Sequence, residues 1–243
     1  LRDLREVEIY GVVRGGRFLR SEEIRELPYW GGGLSDLTNS INFKPFFTED
    51  LKIPAKAENI RVISLIPNQI VTEAITARAS SHGGYVVSDT ERDILKCVVV
   101  ERHRATGNMG KGFVHGFGLK SGAISSSIAH DAHNIVCIGV DDQSIFSAIH
   151  RLRELRGGIV YAIGSEVVAE LGLPYAGLMC DLELEDLVKR QRELEKCLSR
   201  NGCKLDSPIT SLSFLALSVI PKLKLTDKGL VDVERGSIID LFQ

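Results

Sequence analysis

The chain has 243 residues, of which 44% are hydrophobic and 26% are charged. This composition is typical of a folded globular protein and excludes a disordered chain or a collagen-like repeat. No apolar run reaches the roughly 20 residues that a membrane-spanning helix needs. Thirty basic and 32 acidic residues give a net charge of -2, whereas a general binder of nucleic acid or anionic membranes usually carries a basic excess. We therefore expect a small molecule or a protein as partner, with no nucleic acid and no membrane.

The cysteines indicate a reducing compartment. Five is an odd number and none forms a CxxC pair; they are Cys97, Cys137, Cys180, Cys197 and Cys203. The N-terminal ten residues are charged and lack the apolar stretch of a signal peptide. We expect reduced thiols in a cytoplasmic protein. The chain begins at Leu1 rather than Met, which fits a segment of a longer protein.

Three regions follow one another along the chain. Residues 7–13 (VEIYGVV) predict a strand, and a glycine-containing turn at 14–17 returns the chain into a second strand, so residues 1–27 are expected to contain a β-hairpin. Residues 28–58 have few periodic apolar positions and are interpreted as a linker or an ordered loop. Residues 59–243 are predicted to form a mixed α/β domain.

The α/β domain is expected to contain a buried sheet covered by helices. Its strands are predicted from apolar runs at 60–66, 70–78, 95–101, 135–140 and 159–164. The order of elements over residues 135–163 suggests a right-handed βαβ unit. Strand order cannot be fixed from this pattern, and an α/β sandwich with two sheets is an alternative.

Two amphipathic helices are predicted to cover one face of the sheet. Residues 142–156 carry an apolar stripe, with Asp141 or Asp142 as N-cap. Residues 183–200 carry a second stripe, with Asp181 as the expected cap. The apolar segment 209–220 is expected to add a central strand or to pack beneath the sheet.

Polar residues concentrate in one window, 101–134, which contains four of the six histidines and lies between two buried strands. Rigid strands that present a glycine-rich polar loop are a common way to build a binding site. The window lacks a Walker motif, and no GxSxG elbow supports a nucleophilic serine at Ser125–Ser127. His130 and His133 are spaced i, i+3, which is a weak metal-ligand signal without an HExxH or HxH motif. His103, His130 and His133 are therefore only weak metal candidates.

The same window carries a family resemblance. The chain is similar over roughly residues 60–233 to the C-terminal domain of bacterial and archaeal adenine deaminases of the amidohydrolase superfamily. The matching pieces are IPNQIVTE (66–73), ERDILK (91–96), ERHRATGN (101–108), GFVHGFGLKSGAI (112–124), HDAHN (130–134), LPYAGLM (173–179) and TSLSFLALSVIPKLKLTDKGLVDV (210–233). HDAHN in this setting is a specific signal.

The resemblance implies an activity that this chain would share only in part. Such enzymes hydrolyse adenine to hypoxanthine and ammonia in purine salvage, using a manganese or iron pair held by a (β/α)₈ barrel. The resemblance places the barrel and its principal metal ligands outside this chain, and the opening hairpin in a composite β-sandwich. We therefore expect the chain alone to be inactive, and adenine, the barrel domain and a second copy of the protein to be its partners.

A loop rich in histidines and donors is costly to bury without partners. We therefore expect seven residues to form a substrate lid or to support the site from behind: Arg102, His103, Asn108, His130, Asp131, His133 and Asn134. Two alternatives stay open at this point. The window can instead be an internal hydrogen-bond network in a non-catalytic structural or dimerisation domain, or the chain can be an independent metal hydrolase.

Overall fold

Two glycines shape the hairpin near the N-terminus. The computed structural model describes Arg5, residues 9–20 and residues 37–243, and the chain divides into two compact units, residues 1–34 and 35–243. In the first unit, β1 (Gly11–Arg14) pairs antiparallel with β2 (Arg17–Arg20). Gly15 and Gly16 form the turn with φ angles of 55° and 77°, which side chains rarely adopt. The predicted hairpin is confirmed; residues 21–27 of the hairpin segment and residues 28–36 of the predicted linker lie outside the described residues.

Apolar runs in the second unit form one eight-stranded sheet. Its strands are β4 (Asn59–Leu65), β5 (Thr72–Arg78), β8 (Ile94–Val100), β9 (Met109–His115), β10 (Ala123–Ser126), β11 (Ile135–Gly139), β12 (Gly158–Ile163) and β13 (Glu166–Gly172). They lie in the order β13-β12-β10-β11-β8-β9-β4-β5. Only the β4–β9 pair is parallel. The mixed α/β fold and all five predicted strands are confirmed.

Two short three-stranded sheets accompany the large one. The first joins β3 (Ile53–Pro54), β6 (Ser81–His82) and β7 (Tyr85–Val86), and the second joins β14 (Leu223–Thr226), β15 (Gly229–Asp232) and β16 (Ser237–Ile239).

Helices pack on both faces of the large sheet, so the prediction that they cover one face is wrong. Helix α1 (Asp142–Glu154) packs on the face that carries Val98, whereas α2 (Leu184–Arg200) and α3 (Pro208–Phe214) pack on the face that carries Val99. Successive strand side chains point to opposite faces. Because every residue of β8 is buried, both faces need a cover. The apolar segment 209–220 supplies part of it as a helix and turn, and packs against the sheet rather than joining it.

One of the two predicted helix caps is confirmed and the other is wrong. Asp141 caps α1, because its carboxylate accepts hydrogen bonds from the backbone nitrogen and the hydroxyl of Ser144 at 2.8 and 2.7 Å. Asp181 does not cap α2, which begins after Glu183; its carboxylate accepts a hydrogen bond from Tyr175 instead.

The crossover from β11 through α1 to β12 is split rather than direct. Strand β10 lies between β11 and β12 and pairs antiparallel with both. The two flanking strands are therefore parallel but not neighbours.

Part of the predicted linker belongs to the α/β unit. Phe43 and Phe46 are buried against α1, and Leu51, at the end of a 3-10 turn (Thr48–Leu51), is fully buried. Residues 37–58 are thus an ordered segment laid over the sheet's α1 face. Among the described residues, none of the helices combines the length and apolarity needed to cross a membrane.

Candidate functional site

The strand register brings the two halves of the polar window to one end of the sheet. Val100, the last residue of β8, lies opposite Met109 at the start of β9 and opposite Ile135 at the start of β11. The connections 101–108 and 127–134 therefore leave the sheet at the same end. We call them the first and second site loops.

Glu101 folds the first site loop around its own carboxylate. One oxygen accepts hydrogen bonds from the backbone nitrogens of His103 and Arg104, and the other from the backbone nitrogen and hydroxyl of Thr106, both at 2.9 Å. Burial alone raises the pKa of this carboxyl, but the four donors outweigh it and lower the pKa to about 2. Glu101 is thus ionised, and the loop is held in one conformation.

Arg102 is a buried cross-link between four segments. Its side chain is 1% exposed, and its nitrogens donate to the backbone carbonyl oxygens of His133, Ser40, Ser127 and Ala176. Burial lowers the pKa of the guanidinium to about 10, so it remains charged at neutral pH. All three nitrogens donate to carbonyl oxygens within the fold. Arg102 therefore holds the two site loops in place and has no free nitrogen for a ligand.

The second site loop presents two neighbouring imidazoles. The rings of His130 and His133 are 5.9 Å apart, and His130 lies 4.7 Å from the ring of Phe214 on α3. The backbone nitrogen of His130 donates to the backbone carbonyl oxygen of Ser213 at 3.1 Å, which anchors the loop on that helix. In the first site loop, Nε2 of His103 lies 2.7 Å from the carbonyl oxygen of Ala132 in the second site loop. This contact joins the two loops.

His133 is held in its neutral form. Burial lowers the pKa of its imidazole, and His130, Arg102 and His103 lower it further. Its Nδ1 accepts a hydrogen bond from the backbone nitrogen of Ala129 at 3.3 Å. A ring that accepts at Nδ1 carries its proton on Nε2, so His133 presents a hydrogen-bond donor.

Two asparagines converge on one carboxylate. Nδ2 of Asn108 donates to Oδ2 of Asp227 at 3.1 Å, and Nδ2 of Asn134 donates to Oδ1 of the same residue at 3.2 Å. Oδ1 of Asn134 is buried and has no hydrogen-bond partner. Asp227 lies in the tight turn between β14 and β15, so a distant hairpin ties the two site loops together.

The described residues do not fit a metal centre. Within residues 9–20 and 37–243, no group of three or more His, Cys, Asp or Glu side chains is arranged to hold a metal ion. His103, His130 and His133 therefore lack the geometry that an independent metal hydrolase requires.

Comparison with known proteins identifies the family. A sequence profile described as the adenine deaminase C-terminal domain matches residues 69–237. The chain belongs to the adenine deaminase family. The adenine deaminase of Archaeoglobus fulgidus is 47% identical over 242 residues, which cover 99% of this chain and 40% of that protein.

Other adenine deaminases match in the same way. The protein of Dehalococcoides mccartyi is 46% identical over 84% of this chain and 36% of its own length. The protein of Oleidesulfovibrio alaskensis is 38% identical over 100% of this chain and 42% of its own length. The chain thus spans 36% to 42% of the length of these three adenine deaminases.

All seven candidate residues lie in the two site loops, at this one end of the sheet, but their exposure differs. Arg102 and Asn134 are buried, His130 and His133 are half-buried, and three are exposed: His103, Asn108 and Asp131. Only the exposed and half-buried members are accessible to a ligand in this chain.

Sequence reasoning missed two carboxylates at the site. Glu101 stands where a buried strand enters a polar loop, and this position was an available signal for a loop-forming carboxylate. The sequence Asp227-Lys228-Gly229 predicts a turn, but its partners Asn108 and Asn134 are distant in sequence, so no local pattern places Asp227 at the site. The absence of a GxSxG elbow argues against a nucleophilic serine at Ser125–Ser127, and in the structure all three serines are buried and donate to backbone carbonyl oxygens.

Proposed function

We propose that this chain is the C-terminal part of an adenine deaminase, and that its two site loops line or cap the metal site of a barrel domain supplied by the rest of the polypeptide. The observation that carries the proposal is the accessible set of polar side chains, His103, His130, Asp131 and His133, on loops that are rigidly tied to a sheet. Preorganised donors and acceptors on rigid elements are what a binding site requires.

The chemistry of the second site loop suits a purine. The Nε2–H of neutral His133 is a donor, and the ring nitrogens of adenine are acceptors. The ring of His130, which lies against Phe214, offers an aromatic face for stacking. In this proposal the loops bind and orient adenine and exclude water.

Apolar side chains beside the loops support the docking of a further domain. Leu37 is 42% exposed and Met179 is 55% exposed. The two lie in connected segments, because the nitrogen of Ala176 donates to the carbonyl oxygen of Leu37 and the nitrogen of Met179 to that of Tyr175. Ala176 also contacts Arg102, so these apolar side chains flank the site loops. Exposed apolar side chains around a polar site are typical of an interface.

The manganese or iron pair of the proposed enzyme lies outside this chain. Among the described residues, no group of three or more His, Cys, Asp or Glu side chains could hold a metal ion on its own, so in this proposal the principal metal ligands belong to the barrel domain. The complete enzyme is proposed to be a cytoplasmic homo-oligomer that hydrolyses adenine to hypoxanthine and ammonia in purine salvage. This chain alone is proposed to be inactive.

A structural or dimerisation domain is the second candidate function. It is favoured by the contacts of Arg102 and Glu101, whose side chains are fully used within the fold. In that case the polar window is an internal network, and the exposed histidines have no ligand.

Hydrogen exchange on the deaminase polypeptide that contains this chain separates the two. Addition of hypoxanthine, the product, is expected to slow amide exchange in residues 101–108 and 127–134. The connection 116–122 leaves the sheet at the opposite end and is the internal control, so its exchange should not change. Equal exchange in the site loops with and without hypoxanthine would contradict the proposal. Ammonia release from adenine by this chain alone would contradict its proposed inactivity.

A further inference from the structure

The turn between β14 and β15 is seated directly on the end of the sheet that carries the site loops. A Cβ atom on Gly110 would lie 1.8 Å from the carbonyl oxygen of Thr226. Only glycine permits this approach of the turn to the start of β9. The residue that follows, Asp227, is thereby placed between the two site loops.

A carboxylate at this position fixes the orientation of both amides. Carboxylate oxygens only accept hydrogen bonds, so Asn108 and Asn134 must each turn their Nδ2 atom toward Asp227. The buried Oδ1 of Asn134 is then the amide atom left without a partner. An asparagine at position 227 offers a donor as well as an acceptor and would therefore allow one of the two amides to turn.

We infer that Asp227 is a positioning residue for adenine deamination, acting through Asn108 and Asn134 on the two site loops. The inference rests on the proposed function, since it assigns to Asp227 the task of holding the loops that bind adenine. Asp227 itself contacts no substrate in this account.

A reciprocal exchange between positions 108 and 227 tests the inference. D227N leaves one acceptor and one donor at position 227 and removes the negative charge, so one asparagine keeps its contact only by turning its oxygen toward the new amide, and its orientation is no longer fixed. N108D places two carboxylates against each other. The double variant N108D/D227N restores both contacts, because the amide at 227 can donate to the carboxylate at 108 and accept from Asn134.

The measurements are kcat/KM for adenine and amide exchange in residues 101–108 and 127–134, made on the deaminase polypeptide that contains this chain. Each single variant is expected to lower kcat/KM roughly tenfold, and the double variant to recover most of that loss. Exchange in the site loops should rise and recover in parallel. D232N, in the next turn, is the matched control and should leave both measurements unchanged.

Two results would overturn the inference. Additive effects of N108D and D227N on loop exchange would show that the pair is not coupled. Coupled loop exchange with unchanged kcat/KM would show that Asp227 serves stability alone. If H133A lowers kcat/KM while these variants do not, the inference fails and the proposed function stands; if H133A is also without effect, the proposed function fails as well.

Discussion

The buried guanidinium of Arg102 donates a hydrogen bond to the backbone carbonyl oxygen of His133 and thereby ties the first site loop to the second. The same side chain reaches Ser40 and Ala176, so one residue fixes four segments around the site. Arg102 therefore holds the loop that carries His130 and His133 in place without contacting substrate. This removes Arg102 from the seven residues considered for substrate contact.

Replacement of Arg102 by Lys should destabilise the fold. A single ammonium cannot reach four carbonyl oxygens that a planar guanidinium spans, and acceptors left unpaired in the interior are costly. We expect R102K to lower the free energy of unfolding by about 2–4 kcal/mol, measured by urea denaturation. R104K, at an exposed arginine two positions along the chain, is the control and should change the free energy of unfolding little. A fully stable R102K variant would show that the cross-link is not needed.

Glu101 should make the fold sensitive to acid. Its pKa is about 2 in the folded chain against an ordinary value of 4.5, so its contribution is complete above pH 4.5 and is lost as the pH falls through 2. A shift of this size corresponds to about 3 kcal/mol. E101Q should lower stability at pH 7 and flatten the dependence of stability on pH between 2 and 4.5. Urea titrations across this range, with the exposed Glu91→Gln as control, should show the effect at position 101 alone.

Lys224 should destabilise the fold at neutral pH. The side chain is fully buried, its Nζ donates to the carbonyl oxygen of Ile70, and burial lowers its pKa from 10.5 to about 8. The unfolded chain binds this proton more tightly, so stability should rise as the pH increases from 8 to 10.5. K224M should remove up to about 3 kcal/mol of that rise, as measured by chemical denaturation.

The exposed Lys56→Met variant should retain the same pH dependence as the parent chain. If K224M shows the same rise in stability between pH 8 and 10.5 as the parent chain, the rise comes from another titrating group and the prediction is wrong.

The sequence was most informative where local physics decides the structure. Strand β11 is a continuous apolar run, strand β8 is an apolar run interrupted only by Lys96, and both runs are followed by polar residues. Their burial follows from that pattern. Asp141 is a cap because a carboxylate preceding an apolar stripe satisfies the first free amides of a helix. The clustering of the site loops follows once both runs belong to one sheet.

The sequence was least informative where contacts between segments distant in the chain determine the structure. Strand alternation places Val98 and Val99 on opposite faces, but nothing local shows which helix covers each face, or that Asp227 contacts Asn134. Leu184 belongs to the apolar stripe predicted for α2, yet it is 68% exposed, because only the later turns of that helix reach the sheet. These features depend on packing between elements, which a periodic pattern does not encode.

The most direct test of the account compares activity and stability for the histidines of the second site loop. In the deaminase polypeptide that contains this chain, H133A and H130A are each expected to lower kcat roughly 30- to 150-fold, the loss of about 2–3 kcal/mol of transition-state stabilisation. The melting temperature should remain nearly unchanged, and H82A, at an exposed histidine in β6, should leave both quantities as they are. Unchanged activity per folded molecule, with a loss of about 1–3 kcal/mol of stability, would show that these histidines belong to a structural network and would contradict the account.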